Sequence, residues 1–169
     1  MVRLANANHP AVASPRTGSL RWWLGPTTAP AAVVLIRIVV GGIFLSEGVQ
    51  KFLFPAALGP GRFASQTPLP APALFAYLDG GFEIGCGVLL ILGLLTRVAA
   101  VPMIVNMLGA EVFTKVPLLL AHGVWAYAHE ARPELSQLFG SVFLLIVGAG
   151  RWSLDYRLFT ASPPRTEPG

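Results

Sequence analysis

Seven ionisable side chains sit in stretches that are otherwise apolar: Arg37, Glu47, Lys51, Asp79, Glu83, Glu111 and Lys115. Glu47 and Lys51 are four residues apart, as are Glu111 and Lys115, with the acid first in both, the favoured order for an ion pair along a helix. Asp79 and Glu83 share that spacing, so two carboxylates project from one face of a helix. Acids and bases grouped in apolar surroundings can hold a small polar ligand or hand on a proton. At the centre of a bilayer each such charge costs roughly 2.5–3.5 kcal/mol on insertion scales, and seven facing lipid would oppose insertion by something on the order of 20 kcal/mol. They must point inward, pair, or line a wet cavity.

The elements that carry them follow from composition. The chain has 169 residues, 54% hydrophobic and only 12% charged, whereas a soluble domain carries roughly 25% charged residues. Such a chain buries apolar surface rather than staying disordered. One cysteine, Cys86, excludes an internal disulfide and a CxxC thiol site. A helix of about 20 apolar residues spans a ~30 Å hydrocarbon core, and the apolar runs predict spans at 31–54, 73–95, 98–118 and 135–151. They lack the alternation of barrel strands, so helices are expected. The stretch 116–128 is short and interrupted by Pro117, and reads as the frayed end of the third helix plus an interfacial segment. The fold class expected is all-α: an integral membrane four-helix bundle.

Its flanks set an orientation. With four spans the termini and the loop at Arg97 share a side that holds Arg3, Arg16, Arg21, Arg97, Arg151, Arg157 and Arg165. The other side holds Lys51, Arg62, Lys115 and Arg132, diluted by Glu130 and Glu134, so both termini are expected to be cytoplasmic. The net charge of +4 suits this topology and anionic lipid headgroups, not nucleic acid. Residues 1–30 read as a flexible segment with an interfacial anchor at Arg21-Trp22-Trp23 and no cleavable signal, 31–155 as the membrane domain, and 156–169 as a disordered tail. The Pro- and Gly-rich loop 55–72, which carries Arg62 and Phe63, is long for a helix connection and is a candidate lid.

On these spans Glu47, Asp79 and Glu111 fall ~9–11 Å inside the outer boundary, Lys51 and Lys115 about one turn above them, and Glu83 near the midplane. Arg37, ~9 Å from the inner edge, has the reach to approach Glu83. Three helices thus bring acid to one level. Two readings follow: buried pairs that only set helix register, or a polar pocket for a proton, a quinone headgroup or another small ligand. Other features have plain explanations. Gly81-x-x-x-Gly85, with Gly80, Gly87 and Gly93, suits close helix packing. Met103 and Met107 suit gap filling, and Cys86 lies among apolar residues where a thiol is inert. His122 and His129 fall in the outer loop; no span holds a histidine for axial haem ligation, and no metal site is expected. Glu47-x-x-x-Lys51 and Glu111-x-x-x-Lys115, each followed by a proline, form a faint repeat that suits two helical hairpins joined at Thr96-Arg97.

The run Arg37-Ile38-Val39-Val40-Gly41-Gly42-Ile43-Phe44-Leu45-Ser46-Glu47-Gly48-Val49-Gln50-Lys51-Phe52-Leu53-Phe54-Pro55 resembles the first helix of the DoxX family of bacterial membrane proteins. Gly61-Arg62-Phe63, Phe82-Glu83-Ile84-Gly85-Cys86-Gly87, Gly93-Leu94-Leu95-Thr96-Arg97, Glu111-x-x-x-Lys115 and Gly148-Ala149-Gly150-Arg151-Trp152-Ser153-Leu154-Asp155 are similar to later parts of the same pattern. The resemblance covers about 31–155. It implies a multi-pass four-helix protein of the bacterial inner membrane, linked to quinone-dependent oxidation and to oxidative or thiol stress. It marks Arg37, Glu47, Lys51, Arg62, Glu83, Arg97, Glu111 and Lys115 as motif positions. No flavin or haem motif is present, so a redox centre would belong to a soluble or membrane oxidoreductase partner, or be a bound quinone. The leading expectation is a redox-linked membrane subunit with a quinone pocket; the alternatives are a small proton-coupled transporter and a non-catalytic scaffold.

Overall fold

The computed structural model describes residues 22–23 and 29–160. The rest of the expected flexible N-terminal segment, and the tail beyond 160, lie outside the described residues. What is described is all-α. Helix α1 is Val33–Leu53, α2 Pro60–Gln66, α3 Pro72–Leu92 and α4 Thr96–Ala110. A π-helical turn, Glu111–Lys115, leads into α5, Val116–Glu130; α6 is Arg132–Val147 and α7 Leu154–Thr160. The expected disorder from 156 onward therefore does not hold for 156–160, which form a helix. The expected irregular loop 55–72 likewise contains α2, started by Pro60 in the first turn, where a missing N–H costs nothing.

Local chemistry places the helix ends. Pro72 opens α3, and Gly93 closes it in the left-handed region (φ 68°), with Gly93 N–H donating to Leu90 O (3.1 Å) and Leu94 N–H to Leu89 O (2.9 Å), a Schellman end. The third helix runs past the expected 118. Pro117 has no N–H to donate to Phe113 O, and its ring crowds that carbonyl. The wider π turn lies immediately before it. The continuous run Thr96–Glu130 is 35 residues long, but it is not one rod. Lys115 Nζ donates to Glu130 O at 3.0 Å and Tyr127 OH to Glu111 Oε2 at 3.1 Å. On a straight helix residues so far apart in sequence would be separated by about 22–24 Å. Gly123 (φ 82°, ψ 177°) turns the chain back.

α1 packs along α3, and α4 along α6. The α1–α3 contact rests on paired glycines seven residues apart. A Cβ on Gly41 would come within 2.7 Å of Gly87 O, and one on Gly48 within 2.7 Å of Gly80 O. Gly81 and Gly85 take no part, because each faces open space. The close approach is thus made by Gly80 and Gly87, not by the Gly81-x-x-x-Gly85 stripe.

Polarity is distributed inside out. Arg37, Lys51, Glu83 and Glu111 are buried with Val40, Phe44, Leu90, Met103 and Leu144. Leu35, Val39, Phe82, Val105, Phe139 and Ile146 are each more than half exposed. Water would penalise such a surface; lipid would not. α1, α3 and the Thr96–Glu130 run are long and apolar enough to cross a membrane. α6, expected over 135–151, starts earlier and ends earlier, and its 16 residues span about 24 Å.

Candidate functional site

One end of the molecule holds a cavity of about 510 Å³ walled by α1, α2, α3, α4, the π turn and the first turns of α6. Its floor is built from the charges that the sequence places in the spans. Lys51 on α1 forms ion pairs with Asp79 and with Glu83 (2.6 Å to Oε2), both on α3. Asn106 Nδ2 on α4 donates to the other oxygen of Glu83 at 2.8 Å. Three helices therefore meet at the Glu83 carboxylate. Asp79 and Glu83 reach one ammonium because they stand one turn apart on the same face. The glycine pairs bring the α1 and α3 backbones close enough for a lysine to span the gap.

The expected pairing along each helix does not occur. Glu47 is exposed, lines the cavity mouth, and makes no ion pair among the described residues; Lys51 turns away from it to α3. Lys115 pairs with Glu134 on α6 (2.9 Å), not with Glu111. Glu111 accepts from Tyr127 through Oε2, and its Oε1 is buried without a partner. An ion pair within a helix is worth only a few tenths of a kcal/mol. A lysine that bridges two helices satisfies carboxylates that would otherwise be left bare, and this decides the geometry.

The walls are aromatic and aliphatic: Phe44, Phe63, Phe75, Phe82, Phe113 and Met107. α2 lies over the mouth and contributes Arg62, Phe63 and Gln66, with the Phe63 ring 5.8 Å from Lys51 Nζ. Arg62 Nε donates to Gln66 Oε1 (3.0 Å), which leaves the rest of its guanidinium available. The net charge of the lining is negative: Glu47, Asp79, Glu83 and Glu134 against Lys51 and Arg62.

Arg37 and Arg97 belong elsewhere. Arg37 does not approach Glu83. It is 2% exposed and donates to four carbonyls, Leu90 O (2.8 Å), Ile91 O (2.6 Å), Ala149 O (3.0 Å) and Trp152 O (2.6 Å). These are the carbonyls freed at the end of α3 and in the segment after α6. A Cβ on Gly93 would fall 2.4 Å from the guanidinium carbon, so only glycine fits there. Arg97 donates to Leu145 O (3.1 Å), Ile146 O (3.3 Å) and Trp22 O, and lies 4.4 Å over the Trp22 ring. Asp155 completes this end by accepting from Leu95 N–H (2.7 Å) and Thr96 N–H (3.1 Å) at the start of α4, a cap supplied from the distant end of the chain. The bundle thus has a clamped end and a hollow end.

Of the nine candidates, Glu47, Lys51, Arg62, Asp79 and Glu83 line the cavity. Lys115 adjoins it through Glu134, Glu111 opens the π turn and is bonded by Tyr127, and Arg37 and Arg97 form the clamp. Sequence reasoning missed Asn106, Glu134 and Gln137. Asn106 is an uncharged polar residue inside a span, a signal that a search for charges alone passes over. Glu134 read as a loop charge because α6 was expected to start one residue after it.

The family model for DoxX matches residues 32–116. A protein of Mycobacterium tuberculosis named "Uncharacterized membrane protein Rv3486" is 54% identical over 135 residues, covering 76% of this chain and 82% of that one. A Haemophilus influenzae protein is 35% identical over 77% of this chain and 92% of its own length. A Bacillus subtilis protein named "Putative oxidoreductase CatD" is 27% identical over 75% of this chain and 86% of its own. No solved structure matches. With its family pattern, its membrane-protein relative and its inside-out helices in agreement, the chain belongs to the DoxX family.

Proposed function

We propose that this protein is a multi-pass subunit of the bacterial inner membrane, serving a redox partner by binding a quinone-type headgroup in the outer cavity. The observation that carries this reading is the floor made by Lys51, Asp79, Glu83 and Asn106 beneath aromatic walls. A cavity of about 510 Å³ is within the range of small-molecule sites. Its phenylalanines suit the faces of a planar ring, and its polar floor suits ring oxygens. Reduction of a quinone to a hydroquinone takes up two electrons and two protons. The electrons would come from a partner oxidoreductase. Asp79 and Glu83, which share one ammonium, would supply or receive protons at the ring oxygens. The oxidoreductase name of the B. subtilis relative is in keeping with such a role. With α6 as a fourth crossing, the two termini would share the cytoplasmic side.

The clamp at the other end favours binding over passage. Arg37 fills the space between α3 and the segment after α6 with four hydrogen bonds, so a ligand in the cavity meets a closed base. Purified in detergent, the protein is expected to gain thermal stability on addition of a short-chain benzoquinone and to lose that gain in Lys51→Met. A melting temperature unmoved by benzoquinone, together with native preparations from which organic solvent extracts no quinone, would overturn the reading. Solute flux through sealed vesicles containing the protein would support transport instead.

A further inference from the structure

We propose that the cavity opens sideways into the bilayer past Leu78 and Phe82 of α3, and that the hydrocarbon tail of its ligand leaves by that portal. The inference rests on the quinone reading and narrows its substrate class to quinones that reside in the lipid and carry a long apolar tail. A cavity of about 510 Å³ houses a ring, while a long tail has to lie outside it. Toward the clamped end Arg37 closes the way with its four hydrogen bonds. Toward the outer surface α2 lies across the mouth with Arg62 and Gln66, polar groups that a hydrocarbon chain would desolvate without return. The α1 and α6 walls bring Glu47, Glu134 and Gln137 to the lining, which suits a tail no better. On the α3 and α4 walls, apart from the carboxylates and Asn106 of the floor, Leu78, Phe82, Met107, Gly109 and Phe113 are apolar.

Leu78 and Phe82 mark where that apolar side is thin. Both line the cavity, and both also border a shallow groove on the outside of α3, whose other walls are Tyr77 and Gly81. They are 50% and 56% exposed, so the same two side chains face the cavity and the lipid. Four residues apart, they stand one above the other on one helix face, and a rotamer change in either widens the passage. Outside, Gly81 leaves room, since a Cβ there would meet nothing within 4 Å. Tyr77, stacked on Phe52 of α1 with ring centroids 5.3 Å apart, forms the far bank. A tail in this groove stays out of water and gains contacts with protein atoms. The ring meanwhile keeps to the polar floor.

The test uses the full-length protein in nanodiscs and two benzoquinones with the same ring, one without a tail and one with a decyl tail that carries a diazirine near the ring. After illumination, peptide mass spectrometry is expected to find the label on residues 77–82, and an excess of the untailed benzoquinone should suppress it. Gly81→Phe fills the groove from an open position and leaves the cavity lining unchanged. It is expected to weaken the decyl compound about tenfold, in the range for a side chain forced into occupied space, and to keep the untailed compound within about twofold. Parent and variant share one lipid, so partition of the tail into the bilayer cancels in the comparison. Label on α2, on the α1 or α6 walls, or spread around the perimeter and not suppressed by untailed benzoquinone, would overturn the portal and leave the quinone site standing. Equal effects of Gly81→Phe on the two compounds would overturn the groove. Binding of neither compound to the parent protein would overturn the quinone site itself.

Discussion

Lys51 and Arg37 are both buried cations, yet they do different work, and substitution separates them. Lys51 neutralises two carboxylates that face a cavity; Arg37 donates to four carbonyls at the end of α3 and in the segment after α6. Lys51→Met strands Asp79 and Glu83, and loss of one partner from a buried ion pair costs about 3–5 kcal/mol. The triple replacement Lys51→Met, Asp79→Asn, Glu83→Gln removes the stranded charge and is expected to recover much of the melting temperature without recovering ligand. Arg37→Lys keeps the charge but replaces a five-donor fork by a three-donor point. It is expected to lower the melting temperature by several degrees and to leave benzoquinone affinity within about twofold, since the clamp is remote from the cavity. These residues were legible in the sequence as charges that had to be sheltered. Their partners were not. Spacing along one helix speaks only of neighbours on that helix, and both cations found their partners on other elements.

Among the elements, α1 and α3 decide the site, because their glycines set how closely the two backbones approach. Gly48→Ala places a methyl 2.7 Å from Gly80 O and must push the helices apart, lengthening the reach that Lys51 needs. Gly81→Ala meets nothing and gains helix propensity worth up to about 1 kcal/mol. The expected outcome is a lower melting temperature and weaker ligand binding for Gly48→Ala, and an unchanged or raised melting temperature with ligand binding retained for Gly81→Ala. Equal behaviour of the two would contradict the packing described. The apolar runs and the Pro-rich stretch between them were enough to anticipate α1 and α3 to within a few residues. The π turn and the reversal at Gly123 were not anticipated. They depend on how Pro117 and one glycine are accommodated, and a lone glycine in an apolar run does not declare its φ. The return segment they create brings Tyr127 to Glu111 and places α6 so that Glu134 enters the cavity wall.

At the scale of the whole molecule the asymmetry of the two ends predicts asymmetric access. In a Cys86→Ser background, a cysteine at Ser65 on α2 is expected to react with a membrane-impermeant maleimide added outside intact spheroplasts. One at Arg151 is expected to react only after lysis, and bound benzoquinone analogue should slow labelling at the first position alone. Reaction of both from outside would contradict the proposed sidedness. By itself the sequence determined the membrane setting, the helical class and the set of charges that could not face lipid. Those follow from composition and from the cost of burying a charge, which are properties of segments taken one at a time. Only the tertiary structure decided that Lys51 would join Asp79 to Glu83, that Arg37 and Arg97 would close the opposite end, and that Glu134 would take part at all. Those outcomes depend on which faces meet. That is settled by small residues and turns, whose contribution is the space they leave for other groups.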